Sequence, residues 1–201
     1  MGITTAWSIS AHDDTFIGEL APRLLPLIDA ERGEPLARER WERWKRSPAG
    51  GTSPEPSADL LDLVCGGTHV QKMYDGLSSD DPFSMLDDVW GQDGIEDRLF
   101  VSVQSKDWAV GSFLHAVGPA RAALLPGWCG NLLLTSGEVR ATLPRVERAL
   151  MFGPQERAAA RRRDWLDYGP GEESVLDGPL RMWRLAARTG MGLCGVSCVI
   201  Y

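Results

Sequence analysis

Lysine is scarce in this chain: only Lys45, Lys72 and Lys106 occur among 201 residues. Arginine supplies most of the 21 basic side chains, and these are outnumbered by 28 acidic ones, so the net charge is −7. A surface of that sign excludes non-specific binding to nucleic acid or to an anionic membrane, since both need a basic face. The excess of Arg over Lys, together with frequent Ala and Gly, suggests a GC-rich bacterial genome. Long apolar runs are also missing, and nothing approaches the roughly 20 residues of a membrane span. Met1-Gly2-Ile3-Thr4-Thr5 has neither the basic nor the apolar region of a signal peptide. The expectation is a cytoplasmic protein.

Catalytic and metal-binding motifs are equally lacking. No H-x-x-x-H, H-E-x-x-H or C-x-x-C occurs, and no G-x-S-x-G, Walker A or G-x-G-x-x-G that follows a strand. These absences leave no sequence signature for zinc, a nucleophile elbow or a nucleotide phosphate, so no metal or cofactor is expected. The acidic residues between Asp80 and Asp97 lack the Asp/Asn/Gly positions of an EF-hand loop and read as a solvated face. The four cysteines, Cys65, Cys129, Cys194 and Cys198, read as free, mostly buried thiols in a reducing compartment. On a strand, Cys194 and Cys198 share a face but lie about 13 Å apart, at about 3.3 Å per residue, beyond disulfide reach. A loop over 190–195 would instead let them meet.

What the chain does have is a core-sized apolar fraction and eight tryptophans. The most legible unit is Leu132-Leu133-Leu134 followed by Thr135-Ser136-Gly137-Glu138-Val139. It reads as a buried strand turning into a helix with a capping box, since Thr135 and Glu138 have the spacing for reciprocal capping. Val139, Leu143, Val146 and Leu150 then fall on one face. Pro144 leaves 136–150 as two short helices or one kinked one. At the other end, residues 2–10 alternate as a strand. Cap residues between Ser10 and Asp14 then open a helix that Pro22 and Pro26 are expected to kink or split. His12, beside that cap, is expected to face solvent.

Pro35 opens a charged helix to Arg46 that should set Trp41 and Trp44 against the body of the protein. Residues 47–57 read as a flexible Gly/Pro/Ser loop. A helix over 58–76 carries Gly66-Gly67, which either break it or mark a close approach. Asp81-Pro82 looks like the start of a short helix, with Phe83, Leu86, Val89 and Trp90 inward. Leu99–Val103 suggests a strand, and Ser105 or Asp107 a cap for a helix bearing Trp108, Phe113 and Val117. Further helices are expected over 155–168 and from Gly178 to a C-terminal stop at Gly190. Leu193–Tyr201, apolar on both faces, reads as an interior strand. The fold class is α+β, one helix-rich domain over 1–201 with a small mixed sheet that includes the N- and C-terminal strands.

The Met1-Gly2 start into a strand and a Ser-initiated helix, the mid-chain helix ending at Gly76, Leu134-Thr135-x-x-Glu138-Val139, and an aromatic-bearing last helix running into Leu193–Tyr201 together resemble the family of small bacterial proteins called DUF1877, or YfbM-like. The likeness is strongest over 132–201. Family members usually have Pro where Ser136 stands, and this chain adds Pro144 and the 30–57 segment. The resemblance implies an α+β fold and carries no catalytic residues across. It implies that some such small acidic proteins act as binding or immunity proteins.

The functional expectation is a non-catalytic binding protein, an immunity-type neutraliser or peptide binder, whose negative charge would suit a basic partner. The alternative is a small enzyme or small-molecule binder with a Trp- and His-lined pocket. Candidate site residues are His69, Trp108, His115, Gly66 and Gly67. Gly66-Gly67 would let a ligand approach backbone closely, with His69 adjacent. Trp108 and His115, seven apart, would border one groove along a helix. Cys129, in the turn Gly127-Trp128-Cys129-Gly130, could be a thiol nucleophile if a His activated it, but nothing local lowers its pKa.

Overall fold

The structure is a computed structural model and describes residues 3–46, 55–75, 85–92 and 94–200. Most of the 47–57 loop, the Asp81-Pro82 pair and Phe83 lie outside the described residues, as does the side chain of Leu86.

Four strands form one sheet: β1 (Thr4–His12), β2 (Leu99–Ser105), β3 (Leu132–Leu134) and β4 (Gly192–Val199), in the order β2-β1-β4-β3. The N- and C-terminal strands are the central pair, in register from Thr5 opposite Val199 to His12 opposite Gly192. The fold is α+β. The 128–134 and 193–201 segments contribute neighbouring strands, with Leu133 opposite Cys194. The sheet is antiparallel at all three pairings rather than mixed. Direction is set by the end of the sheet to which each helical excursion returns the chain, which alternation within a strand does not encode.

β1 is buried along both faces. Trp7, Ile9 and Ala11 point into one core with Phe100, Leu132 and Leu193. The other face is small and polar, Ala6, Ser8 and Ser10, and α1 (Asp14–Gly33) and α4 (His69–Tyr74) bury the adjoining part of the sheet, where Cys194, Val196 and Cys198 pack with Ile17, Leu20 and Leu24. The strand's serines are satisfied there: Trp90, on a π-helical turn over Met85–Trp90, donates its Nε1–H to Ser8 Oγ at 2.8 Å. On the first face lie α5 (Ala109–Val117), the short α6 (Pro119–Ala122), α7 (Ser136–Leu150) and α9 (Gly178–Thr189).

Neither proline-bearing helix splits. α1 runs as one helix through Pro22 and Pro26, and α7 through Pro144. Each proline leaves the carbonyl four residues earlier without its N–H partner. Those residues, Gly18, Pro22 and Arg140, all lie on exposed faces, where water can serve the freed carbonyls. β1 also outruns its expected end by two residues, and Asp13 becomes the cap of α1, accepting from Phe16 N at 2.9 Å.

Two further boundaries differ from expectation. α8 (Pro154–Arg163) stops five residues early, because Asp164 turns its carboxylate onto Ser112 Oγ (2.7 Å) and Tyr168 Oη (2.6 Å) and ties the following chain against α5. α5 starts after Trp108 without a side-chain cap, instead of at Ser105 or Asp107.

The capping box of α7 is present. Thr135 Oγ1 accepts from Glu138 N, and Glu138 Oε2 accepts from Thr135 N at 2.8 Å. Thr135→Ala is expected to lose about 1 kcal/mol of stability, the usual worth of such a cap, while Thr135→Ser keeps it. The midpoint of denaturant unfolding checks this.

Candidate functional site

The expected helix over 58–76 breaks at its glycines. α3 (Ala58–Cys65) ends on Gly66, and α4 restarts at His69 after Thr68. Thr68 does not cap α4 with its side chain. Glu31, from the last turn of α1, does so instead: its Oε1 accepts from His69 N (3.0 Å) and Val70 N (2.9 Å). A carboxylate is suited to this, because the first N–H groups of a helix have no intrahelical acceptor. Gly67 lies over the carboxylate. A Cβ there would come within 3.2 Å of Glu31 Oε1, tighter than ordinary contact, so glycine eases the close approach of the two.

Around Glu31 lies a cleft of about 300 Å³. Its walls come from α1, from α2 (Pro35–Arg46), from the α3–α4 break, from Trp108 and from the turn before β3. Four of the sequence candidates, Gly66, Gly67, His69 and Trp108, meet here. His115 does not line the cleft. It is 1% exposed, inside α5, with its ring 5.6 Å from that of Trp165. Trp108 precedes α5 rather than occupying its first turn, so the seven-residue spacing does not place the two side chains on one groove.

The cleft also holds residues without a motif. Glu31 is 5% exposed. Burial raises its pKa above the ordinary carboxylate value, partly offset by the N–H groups of Val70 and His69. Asn131 accepts from Ser197 N at 2.8 Å through Oδ1, which turns its Nδ2 toward Glu31 Oε2 at 3.4 Å. The polar wall is completed by Gln71, whose amide exchanges two hydrogen bonds with the backbone of Val199 (2.8 and 2.9 Å), and by His69, whose Nε2 lies 3.3 Å from Glu34 Oε1. Spacing held one clue to Glu31: it continues the buried series Ile17, Leu20, Leu24, Ile28, so a carboxylate stands on an apolar helix face. Asn131 and Trp128 had no such signal.

No family model matches the chain, and no curated protein or solved structure matches it either.

Trp128 and Cys129 also separate this cleft from a second, apolar cavity of about 240 Å³. Trp7, Trp41, Phe113 and Trp183 line that cavity. Trp41 packs on Trp44 and on Trp128, at centroid distances of 5.1 and 5.5 Å, so the body of the protein covers both α2 tryptophans as expected. The partition is a tight hairpin turn. Trp128 and Asn131 exchange N–H···O bonds of 2.8 Å, and the two residues between them, Cys129 and Gly130, have φ of 46° and 85°. Two positive φ values in a two-residue loop are the type I′ pattern, an uncommon conformation for a cysteine.

All four cysteines are free. Cys194 and Cys198 are buried, Cys129 is half-buried with its thiol turned inward, and Cys65 is exposed. Burial, and secondarily the charge of Glu31, pushes the Cys129 thiol up. It is therefore a thiol, not a thiolate, at neutral pH. Among the described residues no cluster of His, Cys, Asp and Glu could hold a metal ion, and no helix is long and apolar enough to cross a membrane.

His12 is not at the surface. As the last residue of β1 it is 1% exposed and stacks on Phe16 at 4.3 Å. Gln92 donates its amide N–H to Asp88 O, which leaves Oε1 to accept from His12 Nδ1 (3.1 Å). Nε2 then accepts from Ser10 Oγ (2.8 Å), which assigns the neutral Nδ1–H tautomer. Burial holds its pKa down to about 4, against 6.5 for the free side chain. The unfolded chain therefore binds a proton that the folded chain refuses. Stability falls as pH drops below 6.5, and the loss levels off below about 4. From this group alone the fold is expected to lose about 2 kcal/mol between pH 7.5 and pH 5. His12→Gln should flatten that part of the profile, as read from denaturant midpoints at the two pH values. Equal slopes for the two proteins would refute the assignment.

Proposed function

We propose that this protein is a non-catalytic binding protein whose ligand, a small molecule or the end of a peptide, enters the cleft between α1–α2 and the α3–α4 break. The observation that carries this reading is the convergence of Gly66, Gly67, His69 and Trp108, from two separate stretches of chain, on one concave space with a buried carboxylate from a third at its floor. Mostly pre-formed concave sites with a few convergent polar groups are where small ligands bind. A space of about 300 Å³ suits such a ligand. A folded protein partner instead needs about 800 Å² of surface on each side.

Binding is favoured over catalysis by the state of the reactive groups. Cys129 would need a depressed pKa to act as a nucleophile, and its surroundings raise it. His12, whose pKa is lowered, is sealed beneath Phe16 and Gln92 rather than open to the cleft. The negative charge supports a ligand or partner that is itself positive.

The test is a ligand screen by NMR on the intact chain, followed by titration of His69→Ala and His115→Ala. A ligand of the cleft is expected to bind about tenfold more weakly to His69→Ala, a loss typical of a contact at the centre of a site. His115→Ala should bind as the wild type does. The reading fails if ligands perturb resonances elsewhere and leave those of Gly67, Trp108 and Trp128 unmoved.

A further inference from the structure

We infer that the cleft selects a small primary ammonium carried on an apolar body, with the ammonium seated on Glu31. This rests on the binding role proposed above and specifies its ligand class. Glu31 has one oxygen saturated and one not. Oε1 already accepts two backbone N–H groups, whereas among the described residues Oε2 has only the long 3.4 Å contact from Asn131 Nδ2. A carboxylate oxygen has room for about two donors, so Oε2 can accept a further N–H on the side where Gly67 has no side chain to cover it.

The other charged groups around the cleft do not supply that donor. Arg40 directs its guanidinium to Asp62, with Nη1 on the backbone carbonyl (3.3 Å) and Nη2 on the carboxylate (3.4 Å). His69 turns Nε2 to Glu34. Glu34 adds a second negative group at the same rim. An ammonium offers three N–H donors and a full positive charge, so it can satisfy Oε2 and offset the unfavourable burial of the carboxylate. The walls suit the rest of such a ligand, because Trp108 and Trp128 offer aromatic surface for an apolar body and a favourable face for a cation.

The experiment is calorimetric titration of the full-length protein with three probes of one shape: 2-phenylethylamine, 2-phenylethanol and 3-phenylpropanoate. The amine is expected to bind at least about tenfold more tightly than the alcohol, the difference a charge-assisted hydrogen bond makes, and the propanoate least of all. Glu31→Gln should remove that preference while keeping the fold, since the amide oxygen can still accept from His69 and Val70. The three-probe comparison on the wild type decides the matter even if that variant does not fold. Equal binding of amine and alcohol, or tighter binding of the propanoate, overturns the ammonium assignment and leaves the cleft as a site for other ligands. Binding of none of the three also overturns it, and the ligand screen then judges the cleft separately.

Discussion

Trp7→Ala is expected to destabilise the protein by about 3–5 kcal/mol, the range for removing a buried tryptophan, and to fall near the top of it. Trp7 is 2% exposed at the middle of β1, between β2 and β4. Its ring meets Phe100 edge-on at 5.4 Å and Phe113 at 4.9 Å, and its Nε1–H donates to Gly130 O at 3.2 Å. Three losses therefore coincide: buried apolar area, two aromatic contacts and the donor to the turn. Relaxation cannot recover much of this. Trp7 already borders the apolar cavity of about 240 Å³, so the new void joins an existing space instead of being filled by neighbours moving in. Denaturant unfolding monitored by far-ultraviolet circular dichroism measures the effect. A loss below about 1.5 kcal/mol would show that the cavity walls collapse onto the site, contrary to the close packing expected of a sheet held from both sides.

The sheet that holds Trp7 was legible only in pieces. Thr135 and Glu138 announced the start of α7 because a capping box is local and its chemistry is written within four residues. Gly190 announced the end of α9 for the same reason, and it adopts the expected left-handed conformation. Strand order and direction were not local. Nothing in Ile3–Ser10 or Leu193–Val199 says that these segments pair with each other antiparallel at the centre. The prolines left a split open that does not occur, because their penalty depends on which face they occupy, and Pro22, Pro26 and Pro144 all lie on exposed ones. His12 misled because two extra residues of β1 turned a position beside the expected cap into a buried one. Of the site, the glycine pair, His69 and Trp108 were readable because unusual residues in a helix or an aromatic-rich segment call for explanation. His115 was misplaced because the helix began later than either expected cap, Ser105 or Asp107, would start it, leaving Trp108 outside it. Glu31 and Asn131 were not found because their roles consist of partners 38 to 100 residues away in sequence.

That dependence on distant partners makes the 127–131 turn the second position of large effect. Gly127→Ala is expected to cost about 3 kcal/mol or more and to disturb the cleft along with the fold. Gly127 has φ of 87°, where a side chain adds about 1–2 kcal/mol of strain. A Cβ there would also lie 2.3 Å from Asn131 O and 2.8 Å from Leu132 Cβ, an overlap with backbone that no rotamer relieves. Asn131 O is the acceptor that closes the turn on Trp128 N. Relief must therefore come from moving the turn, and with it Trp128 and Cys129 in the wall between the two cavities and Asn131 beside Glu31. Arg32, whose Nη2 donates to Gly127 O at 3.2 Å, would be pulled from its partner as well. Gly137→Ala is the control, because its Cβ would meet only Thr135 Oγ1 at 4.0 Å, in the first turn of α7. Gly137→Ala should leave stability unchanged or slightly raised. Denaturant midpoints separate the two variants, and amide chemical shifts of Glu31, His69 and Asn131 report the cleft. If Gly127→Ala shifts the midpoint no more than Gly137→Ala, the turn is not the rigid partition described above. If it destabilises the fold but leaves those three amides in place, the cleft does not depend on the turn that forms its wall.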